Sequence, residues 1–348
     1  MSEKIKIACL PVAGKANPYQ YLMMEGLNAS DTINAFNGID DRFLGIIKTY
    51  IKHKPNYIHF DWITSYYQRR KLWMTLLLLP IFIFQILYIR YFTKTKLVWT
   101  LHNIEPHDVV HKNLHQNIRK FFAKKTTWIR VFSDASIKRA TNYLKISSQK
   151  FIVVPEGDYR TAYPNSISKK EARKKLQIDT SKFVMLSLGY IKPYKGLENL
   201  IDVFIKLNKE DAILLIAGKS INELYFKKLK HKIGKNTDRI KLVPKFIDEN
   251  MLQVYYNATD VVILPFQKIE NSGSVIMAMG FKKPIIAPKI GVIEKRLVNQ
   301  KELLYESNNL SKSIHFIYKN RDKLNEYGEK NYTELDKYSW NDFNGFFA

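Results

Sequence analysis

Short apolar runs alternate with longer helical patterns along most of this chain. The runs cover residues 5–10, 57–61, 97–102, 128–132 and 151–155 in the first half, and 183–188, 212–217, 240–243, 261–264 and 285–287 in the second. Apolar runs of this length, separated by helical stretches, predict β–α repetition, which builds a parallel sheet. The pattern therefore predicts an α/β protein with one parallel-sheet domain in each half.

The same pattern predicts the domain boundaries. Residues 156–168 combine Gly157, Pro164 and polar side chains, a composition typical of a linker. We expect an N-terminal domain over residues 1–157 and a C-terminal domain over 165–327. The last residues include Trp340, Phe343, Phe346 and Phe347, which predict a terminal helix that packs back on the protein.

Composition supports two sizeable cores, because 46% of the 348 residues are hydrophobic. The single cysteine, Cys9, lies in an apolar strand and is expected to be a buried small side chain, so no disulfide can form within the chain. Its isolation fits a reducing compartment. The N-terminal segment lacks the charged-then-apolar pattern of a signal peptide.

The segment from Val261 to Pro288 is the most informative one. A buried strand leads into a polar loop, Ser272-Gly273-Ser274 opens a short apolar helix over 275–281, and a second buried strand follows. In a parallel sheet such a loop lies at the carboxyl edge, where ligands bind. The helix start offers unpaired N–H groups, the positive end of the helix dipole and two hydroxyls, all suited to phosphate. An ordinary capped crossover has the same pattern.

A second strand end has the same character. The buried run FVMLSLG ends at Gly189, and the basic loop YIKPYKG leads into a helical run over 197–207. Lys192 and Lys195 lie just before this helix, where their ammonium groups can neutralise a diphosphate. Lysines in surface loops are more often only solvated, but two such strand ends in one parallel domain favour a phosphate site.

Five segments together resemble the GT-B glycosyltransferases, specifically glycosyltransferase family 4 and its branch for bacterial exopolysaccharide and capsule assembly. They are GKANPYQYLMMEG from Gly14, VWTLHNIEPHD from Val98 with an HNxxPHE-like stretch, VVPEGDY from Val153, LGYIKPYKGLENLI from Leu188 and LPFQKIENSGSVIMAMGFKKPIIAP from Leu264. The resemblance implies two Rossmann-like domains that face a central cleft, with a tail, 328–348, that joins the N-terminal domain. It also implies a hexosyltransferase that moves a sugar from a nucleoside-diphosphate sugar to a lipid-linked saccharide in surface polysaccharide synthesis.

The resemblance further implies a donor site in the second domain and an acceptor site in the first. The donor-binding residues are Gly189, Tyr190, Lys192, Lys195, Gly196, Phe246, Ile247, Glu270, Asn271, Ser272, Gly273 and Ser274, and the acceptor-side residues are Gly14, Asn17, Tyr19, Gln20, His107 and Asp108. The implied catalytic residues are His102, Lys195 and Glu270. His102 would contact the donor sugar or stabilise developing charge. Purely structural roles stay open, a backbone-bonded loop histidine for His102 and a solvated charge for Glu270.

The chain also departs from the family pattern. Glu270 matches the first of two glutamates that most members carry eight residues apart, but Ala278 stands in place of the second. Tyr190 and Lys192 occupy the positions of a usual arginine, and Asp108 replaces a glutamate. Nucleotide-sugar binding remains the expectation, whereas the donor and the stereochemical outcome stay open.

Charge predicts an anionic partner, since 56 Lys and Arg face 32 Asp and Glu. Nucleic acid, anionic lipid and a phosphorylated substrate are the candidates. The 18 residues from Leu72 to Ile89 carry no charge and have basic flanks, which favours an anionic membrane surface. Strand patterns on both sides predict a crossover helix, which lies in the membrane surface rather than spans it, unless it is buried on all sides.

The preferred interpretation is a cytoplasmic protein, peripheral on the inner face of the cell membrane. Its partners would be a nucleotide sugar and a polyprenyl-diphosphate-linked or oligosaccharide acceptor. We expect no cofactor and no metal, because lysines and helix dipoles can neutralise a leaving diphosphate. We expect no nucleic acid, because zinc spacings, RNP-type motifs and basic heptads are lacking. Two alternatives stay open: a non-catalytic nucleotide- or sugar-binding protein of the same fold, and a basic nucleic-acid-binding α/β protein.

Overall fold

The computed structural model describes residues 3–14, 17–105, 111–306 and 309–347. The chain divides into two compact units, Met1–Gly157 with Tyr338–Ala348, and Asp158–Lys337. Each unit has its own six-stranded sheet, in which all paired strands are parallel. The predicted α/β class with two parallel sheets is therefore confirmed.

The sheet of the first unit has the strand order β2-β1-β3-β4-β5-β6. Its strands are β1 (Ile5–Leu10), β2 (Ile33–Asn37), β3 (Tyr57–Phe60), β4 (Lys96–Thr100), β5 (Trp128–Val131) and β6 (Phe151–Val153). Its helices are α1 (Tyr19–Asn28), α2 (Gly45–His53), α3 (Thr64–Tyr67), α4 (Leu72–Phe92), α5 (Lys112–Lys125) and α6 (Asp134–Leu144), with 3₁₀ helices at Ser148–Lys150 and Trp340–Phe346. From β1 the chain adds β2 on one side, and from β3 it adds β4, β5 and β6 on the other side. The direction in which strands are added therefore reverses between β1 and β3.

The sheet of the second unit has the order β12-β11-β10-β7-β8-β9. Its strands are β7 (Phe183–Leu188), β8 (Ala212–Ala217), β9 (Ile240–Val243), β10 (Val261–Ile263), β11 (Ile285–Pro288) and β12 (Leu304–Tyr305). Its α-helices are α7 (Lys169–Lys175), α8 (Leu197–Leu207), α9 (Glu223–Ile233), α10 (Glu249–Ala258), α11 (Gly273–Gly280), α12 (Ile293–Arg296), α13 (Leu310–Lys319) and α14 (Leu324–Glu334). Its 3₁₀ helices are Pro193–Lys195, Val298–Leu303, Arg321–Lys323 and Leu335–Lys337. Here the order reverses between β7 and β10.

The strands in the middle of the second sheet explain why the sequence pattern is so clear. Every residue of β7 and β8 is buried, because helices cover both faces of a parallel sheet and leave no polar side. Helix α8 buries one face, composed of Leu197, Leu200, Ile201, Val203, Phe204 and Leu207. Each such side chain stabilises the core by roughly 1.5–3 kcal/mol relative to exposure.

Two strands are not foreseen by the sequence pattern. β2 has the sequence INAFN, and β12 is only two residues long. Both lie at the outer edges of their sheets, next to β1 and β11 respectively. Edge strands need less continuous apolar surface than central ones, so their sequence signal is weak.

The returning tail is shorter than predicted. The division falls at Lys337/Tyr338, so residues 328–337 lie in the second unit. The reason is the packing of α14 there. Asn331 Nδ2 donates hydrogen bonds to the Lys283 carbonyl at 2.9 Å and to Gln300 Oε1 at 2.8 Å. Residues 338–347 pack in the first unit, where Phe343 and Phe347 are buried.

Helix α4 is the crossover between two neighbouring strands. β3 and β4 pair in parallel, from Tyr57 opposite Lys96 to Phe60 opposite Trp99. In the described part of the chain, α4 alone is long and apolar enough to cross a membrane by length and composition, which is weak evidence by itself. Since both strands belong to one sheet, the crossover returns to the same side, as the sequence predicts.

The two faces of α4 differ in exposure. The buried face consists of Thr75, Leu78, Phe82, Gln85, Ile86 and Ile89. The exposed large side chains are Leu72, Trp73, Leu76, Leu77, Phe84, Tyr91 and Phe92. The alternative of a helix buried on all sides is therefore excluded. The helix ends at Phe92, three residues beyond the predicted end.

Candidate functional site

The two loops singled out in the second half leave adjacent strands of one sheet. β7 pairs with β10, with Met185 opposite Val261, at the point where the strand order reverses. Ligands of doubly wound sheets bind outside the carboxyl ends of the strands at such a point. The loops also contact each other, because the Gln267 N–H donates to the Tyr194 carbonyl at 2.9 Å. The candidate site is therefore built where the topology favours a ligand.

Gly189, Lys195 and Ser274 converge at this reversal point. Gly189 has a φ of +128°, and a β-carbon at this position would lie 3.3 Å from Lys195 Nζ and 3.7 Å from Ser274 Oγ. The missing side chain thus leaves a small space that is bordered by one ammonium group and one hydroxyl. Such a space accepts an anionic oxygen.

Lys195 is unusual for a loop lysine, because its side chain is only 8% exposed. Its ammonium lies 4.6 Å from the centre of the Phe266 ring and 5.7 Å from that of Tyr194. Burial, with a further contribution from the charge of Lys192, lowers the pKa of Lys195 to about 8. No carboxylate pairs with Lys195 among the residues that the structure describes, so a bound anion would restore the charged form.

The start of α11 adds hydrogen-bond donors to the same place. Ser272 is the N-cap in an extended conformation, but its side chain makes no capping hydrogen bond. Its carbonyl accepts from the N–H of Val275 at 3.0 Å. The N–H groups of Gly273 and Ser274 have no acceptor within the described residues, which is the arrangement that phosphate groups exploit at helix N-termini.

Glycines permit the close approach of these loops. Gly196 has a φ of +68°, and a β-carbon there would lie 2.0 Å from the Pro265 carbonyl oxygen. Gly218, which follows β8, has a φ of +145° and would clash at 2.0 Å with the Gly189 carbonyl. Sequence reasoning missed Gly218. The available signal was a glycine directly after a buried strand, the same signal that singled out Gly189.

Two further donor-site candidates follow β10. The structure holds Glu270 in a buried position, and its carbonyl accepts from the Val292 N–H at 3.0 Å. Gly291, after β11, packs so closely that a β-carbon would lie 2.6 Å from the Glu270 carbonyl oxygen. Asn271 follows directly and is half-buried. Glu270 and Asn271 therefore lie at the carboxyl edge with the phosphate loops.

The remaining donor-site candidates differ in exposure. Tyr190 and Phe246 expose about half of their side chains at the ends of β7 and β9. Lys192 is half-buried, with its ammonium 5.7 Å from the Tyr190 ring centre. Ile247, by contrast, is buried and belongs to the packing under the loop. β9 is two strands away from β7, so Phe246 lies farther along the same sheet edge.

In the first unit, a buried carboxylate organises the corresponding reversal point. Asp61 follows β3, and its Oδ2 accepts from Gln20 Nε2 of α1 at 2.9 Å. Its Oδ1 lies 2.9 Å from His102 Nε2, at the end of β4, and His59 Nδ1 lies 3.8 Å from Oδ2. Burial opposes ionisation of Asp61, but His59, His102 and Gln20 outweigh it and lower the pKa of the carboxyl group. Asp61 is thus an ionised group held from three sides.

Aromatic rings hold His102 in place. Trp62 stacks on it with ring centres 4.8 Å apart and 16° between the planes, and Tyr19 meets its edge at 4.7 Å. Tyr19 is itself fixed, because its hydroxyl accepts from a guanidinium N–H of Arg130 at 3.1 Å. His102 remains 16% exposed and lines a cavity of about 80 Å³ with Asp61, Trp62 and Arg119 among its walls.

The acceptor-side candidates occupy different positions. Gly14 is exposed, with open space where a β-carbon would be. Asn17 lies just before α1, and its Oδ1 accepts a hydrogen bond from the Tyr19 N–H at 3.3 Å. Gln20 is completely buried and holds Asp61 and the Pro11 carbonyl. The predictions for His107 and Asp108 lie outside the described residues.

Sequence reasoning also missed Asp61, Trp62 and Arg130. The available signal was a carboxylate at the end of the apolar run YIHF, the same argument from a strand end that pointed to His102. Within the described residues, no group of three or more His, Cys, Asp or Glu side chains is arranged to hold a metal ion.

Comparison with known proteins finds a family match for the second half of the chain. Residues 168–334 match the sequence model of the family described as glycosyl transferases group 1. The GDP-mannose:glycolipid 4-beta-D-mannosyltransferase of Xanthomonas campestris pv. campestris is 26% identical over 196 residues. The alignment covers 56% of this chain and 51% of that protein, so the chain matches about half the length of this relative.

Two solved structures are similar over nearly the whole chain. Anabaena HepE in complex with UDP and glucose has a TM-score of 0.74 at 17% identity and covers 98% of both chains. Sucrose-phosphate synthase from Thermosynechococcus elongatus has a TM-score of 0.71 at 16% identity and covers 96% of this chain and 95% of that one. At these identities the similarity establishes the fold, which is GT-B. Residues 168–334 of this GT-B protein are similar to the glycosyl transferases group 1 family.

Proposed function

We propose that the protein transfers a hexosyl group from a nucleoside-diphosphate sugar to a saccharide acceptor. The observation that carries this proposal is the convergence of Lys195 Nζ and Ser274 Oγ at the open position beside Gly189. A buried ammonium without a carboxylate partner in the described chain, next to unbonded N–H groups, suits a diphosphate better than any neutral ligand.

The chemistry of the second unit supports a transfer that needs no metal ion. Lys195, Lys192 and the start of α11 neutralise the diphosphate as its bond to the sugar breaks. Glu270 would hydrogen-bond the sugar hydroxyls, as the family resemblance implies. GDP-mannose is the first donor to test, because the Xanthomonas relative is named for it. UDP-glucose is the second, because HepE was solved with UDP and glucose.

The acceptor is proposed to be a lipid-linked or oligosaccharide chain in surface polysaccharide synthesis. The relative named as acting on a glycolipid motivates this choice. The exposed face of α4 offers a surface for the membrane in which a polyprenyl-diphosphate carrier would lie. Exposed Phe43, Leu44 and Ile51 lie on and before α2. This helix packs beside α4, because Gln85 Nε2 donates to the Phe43 carbonyl at 2.7 Å.

Charge supports the same surface. Basic residues lie at both ends of α4. Arg69, Arg70 and Lys71 precede it, Arg90 is in its last turn, and Lys94 and Lys96 follow it. Each adds about 1 kcal/mol at an anionic surface. We therefore place the protein at the inner face of the cell membrane, as a peripheral and cytoplasmic enzyme.

Donor binding and turnover test the enzymatic proposal. Calorimetry with GDP and UDP should give binding of at least one nucleotide. Release of that nucleotide from GDP-mannose or UDP-glucose should follow in the presence of extracted lipid-linked saccharides. If a nucleotide binds but neither donor releases it, the result would favour the non-catalytic alternative. Salt-dependent RNA binding without nucleotide binding would favour the nucleic-acid-binding alternative.

Liposome sedimentation tests the membrane surface. The wild type should sediment with vesicles that contain phosphatidylglycerol and much less with pure phosphatidylcholine. Replacing Leu77 and Phe84, which are 64% and 60% exposed, by serine should reduce sedimentation and preserve the melting temperature. The matched pair Leu78 and Phe82 is buried on the same helix, so its replacement by serine should cost several kcal/mol of stability. A wild type that ignores both kinds of vesicle would refute the membrane contact.

A further inference from the structure

The hydrogen bonds around Asp61 decide which nitrogen of His102 carries a proton. An ionised carboxylate can only accept hydrogen bonds. Asp61 is held ionised, so the Nε2 atoms of Gln20 and His102 must both donate to it, each at 2.9 Å. A neutral imidazole that carries its proton on Nε2 has a lone pair on Nδ1. That nitrogen has no hydrogen-bond partner within the described residues.

His59, the other histidine near Asp61, cannot accept a proton from a substrate. It is completely buried, and its Nε2 lies 2.7 Å from Thr100 Oγ1. Burial lowers the pKa of His59 to about 4, so this ring stays neutral near pH 7. His102, in contrast, reaches the surface of the cavity that also contains Asp61. Of these two histidines, only His102 combines a carboxylate partner with access to a substrate.

The ring of His102 is also fixed in direction. Trp62 covers one face and Tyr19 contacts the edge, so rotation would break both contacts and the bond to Asp61. A fixed imidazole with a carboxylate behind it is the arrangement in which histidine accepts a proton efficiently, because the carboxylate stabilises the imidazolium that forms.

We propose that His102 is the general base for the acceptor and that Asp61 is its positioning residue. This inference rests on the proposed glycosyl transfer. The acceptor hydroxyl gives its proton to His102 Nδ1 while its oxygen forms a bond to the anomeric carbon. The bond from that carbon to the diphosphate oxygen breaks with its electron pair, and the nucleoside diphosphate leaves. An activated hydroxyl attacks from the face opposite the leaving group, so the configuration at the anomeric carbon is inverted.

Nitrogen NMR tests the tautomer without any substrate. In ¹⁵N-histidine-labelled protein at pH 8.5, long-range ¹H–¹⁵N spectra should assign the proton of His102 to Nε2, with His102→Gln identifying the signal. In Asp61→Asn, Gln20 Nε2 should hold the amide oxygen, which turns the amide nitrogen toward His102 Nε2 and moves the proton to Nδ1. A wild-type proton on Nδ1 would overturn the proposal, and this result does not depend on whether the variant folds.

Kinetics test the catalytic role with the donor that the wild type uses. Asp61→Asn should lower kcat by roughly 10³- to 10⁴-fold, by analogy with other histidine–aspartate pairs, and leave the donor KM and nucleotide affinity unchanged. The product from GDP-mannose or UDP-glucose should show inversion by NMR of the anomeric proton. Retention, or a kcat within tenfold of wild type, would overturn the general base. Failure of the wild type to release nucleotide would refute the proposed function instead, while the tautomer measurement would still decide the proton position.

Discussion

The two units place opposite chemistry at the same position of a similar fold. In the first unit the strand order reverses between β1 and β3, and the side chains that meet there are Gln20 and Asp61. In the second unit it reverses between β7 and β10, where Lys195 approaches Ser274. One reversal point is built around a carboxylate and the other around an ammonium group. The topology therefore brings polar side chains together at the reversal point of each sheet, and the local sequence determines which chemistry is found there.

The two charges also differ in how they are satisfied. Asp61 has its hydrogen-bond partners within its own unit, from Gln20 and His102. Lys195 is also buried, but it has aromatic rings around it and pairs with no carboxylate in the described part of the chain. A buried charge without a partner is costly, and its pKa shift records that cost. The carboxylate of the first unit is satisfied within that unit, whereas the proposed diphosphate would supply the missing anion in the second.

The largest expected effect comes from replacing a loop glycine, and it should differ between the loop after β7 and the loop after β1. Gly196→Ala should destabilise the second unit by about 3 kcal/mol, because the new β-carbon meets the Pro265 carbonyl at a positive φ. Gly14→Ala, in the first loop of the first unit, has open space and should change stability by less than about 0.5 kcal/mol. Urea unfolding of both variants measures the contrast. Equal stabilities of the two variants would show that the loop after β7 is not held as tightly as its contacts indicate.

Removing the unpaired ammonium should weaken nucleotide binding next most strongly. Lys195→Ala should lower the affinity for UDP or GDP by about 1.5–3 kcal/mol, or roughly 10- to 150-fold. Lys283 is a matched control, because burial also lowers its pKa to about 8 but its ammonium donates to the Thr259 carbonyl, which precedes β10. Calorimetry should give unchanged affinity for Lys283→Ala. Unchanged affinity for Lys195→Ala would place the diphosphate elsewhere.

The depressed pKa of Lys195 predicts a pH dependence of binding. In the ligand-free protein Lys195 has a pKa of about 8, and a bound diphosphate would raise this pKa. Above pH 8 the lysine is therefore mostly neutral before binding and takes up a proton when the diphosphate binds. Affinity should be full below pH 8 and fall as the pH rises, by about tenfold between pH 7 and pH 9. The ligand itself keeps a constant charge in this range, since its last phosphate ionisation is near roughly pH 6. Lys195→Arg should remove the decrease, and a decrease that persists in this variant would exclude Lys195 as its source.

Chelation should have the smallest effect. If lysines and helix N–H groups neutralise the diphosphate, EDTA should leave nucleotide binding and turnover within measurement error. A loss of binding or turnover that magnesium or manganese restores would contradict the contrast between the two units. The site of the second unit would then need a cation that its own residues do not supply.

The sequence by itself determined the layout of the fold and the location of the phosphate loops. Interior strands such as β7 and β8 are apolar throughout, because both faces of a parallel sheet are covered, and this produces an unmistakable local pattern. The loops after β7 and β10 carry their lysines, glycines and serines within a few residues of a strand end. Their chemistry is local, and a local pattern can be read from the chain.

Only the tertiary structure decided what meets across the sheets. Gln20, Asp61 and His102 are each 41 residues from the next, so no local pattern records that they share hydrogen bonds. The exposed face of α4 was equally hidden, since a helix that is apolar on every side gives no sign of which side will be covered. That side is chosen by the neighbouring α3 and by the more distant α2 and α5, which pack against it. The sequence pattern reflects the local structural preference of each residue. Burial and hydrogen bonding depend on the neighbours that the fold brings to it.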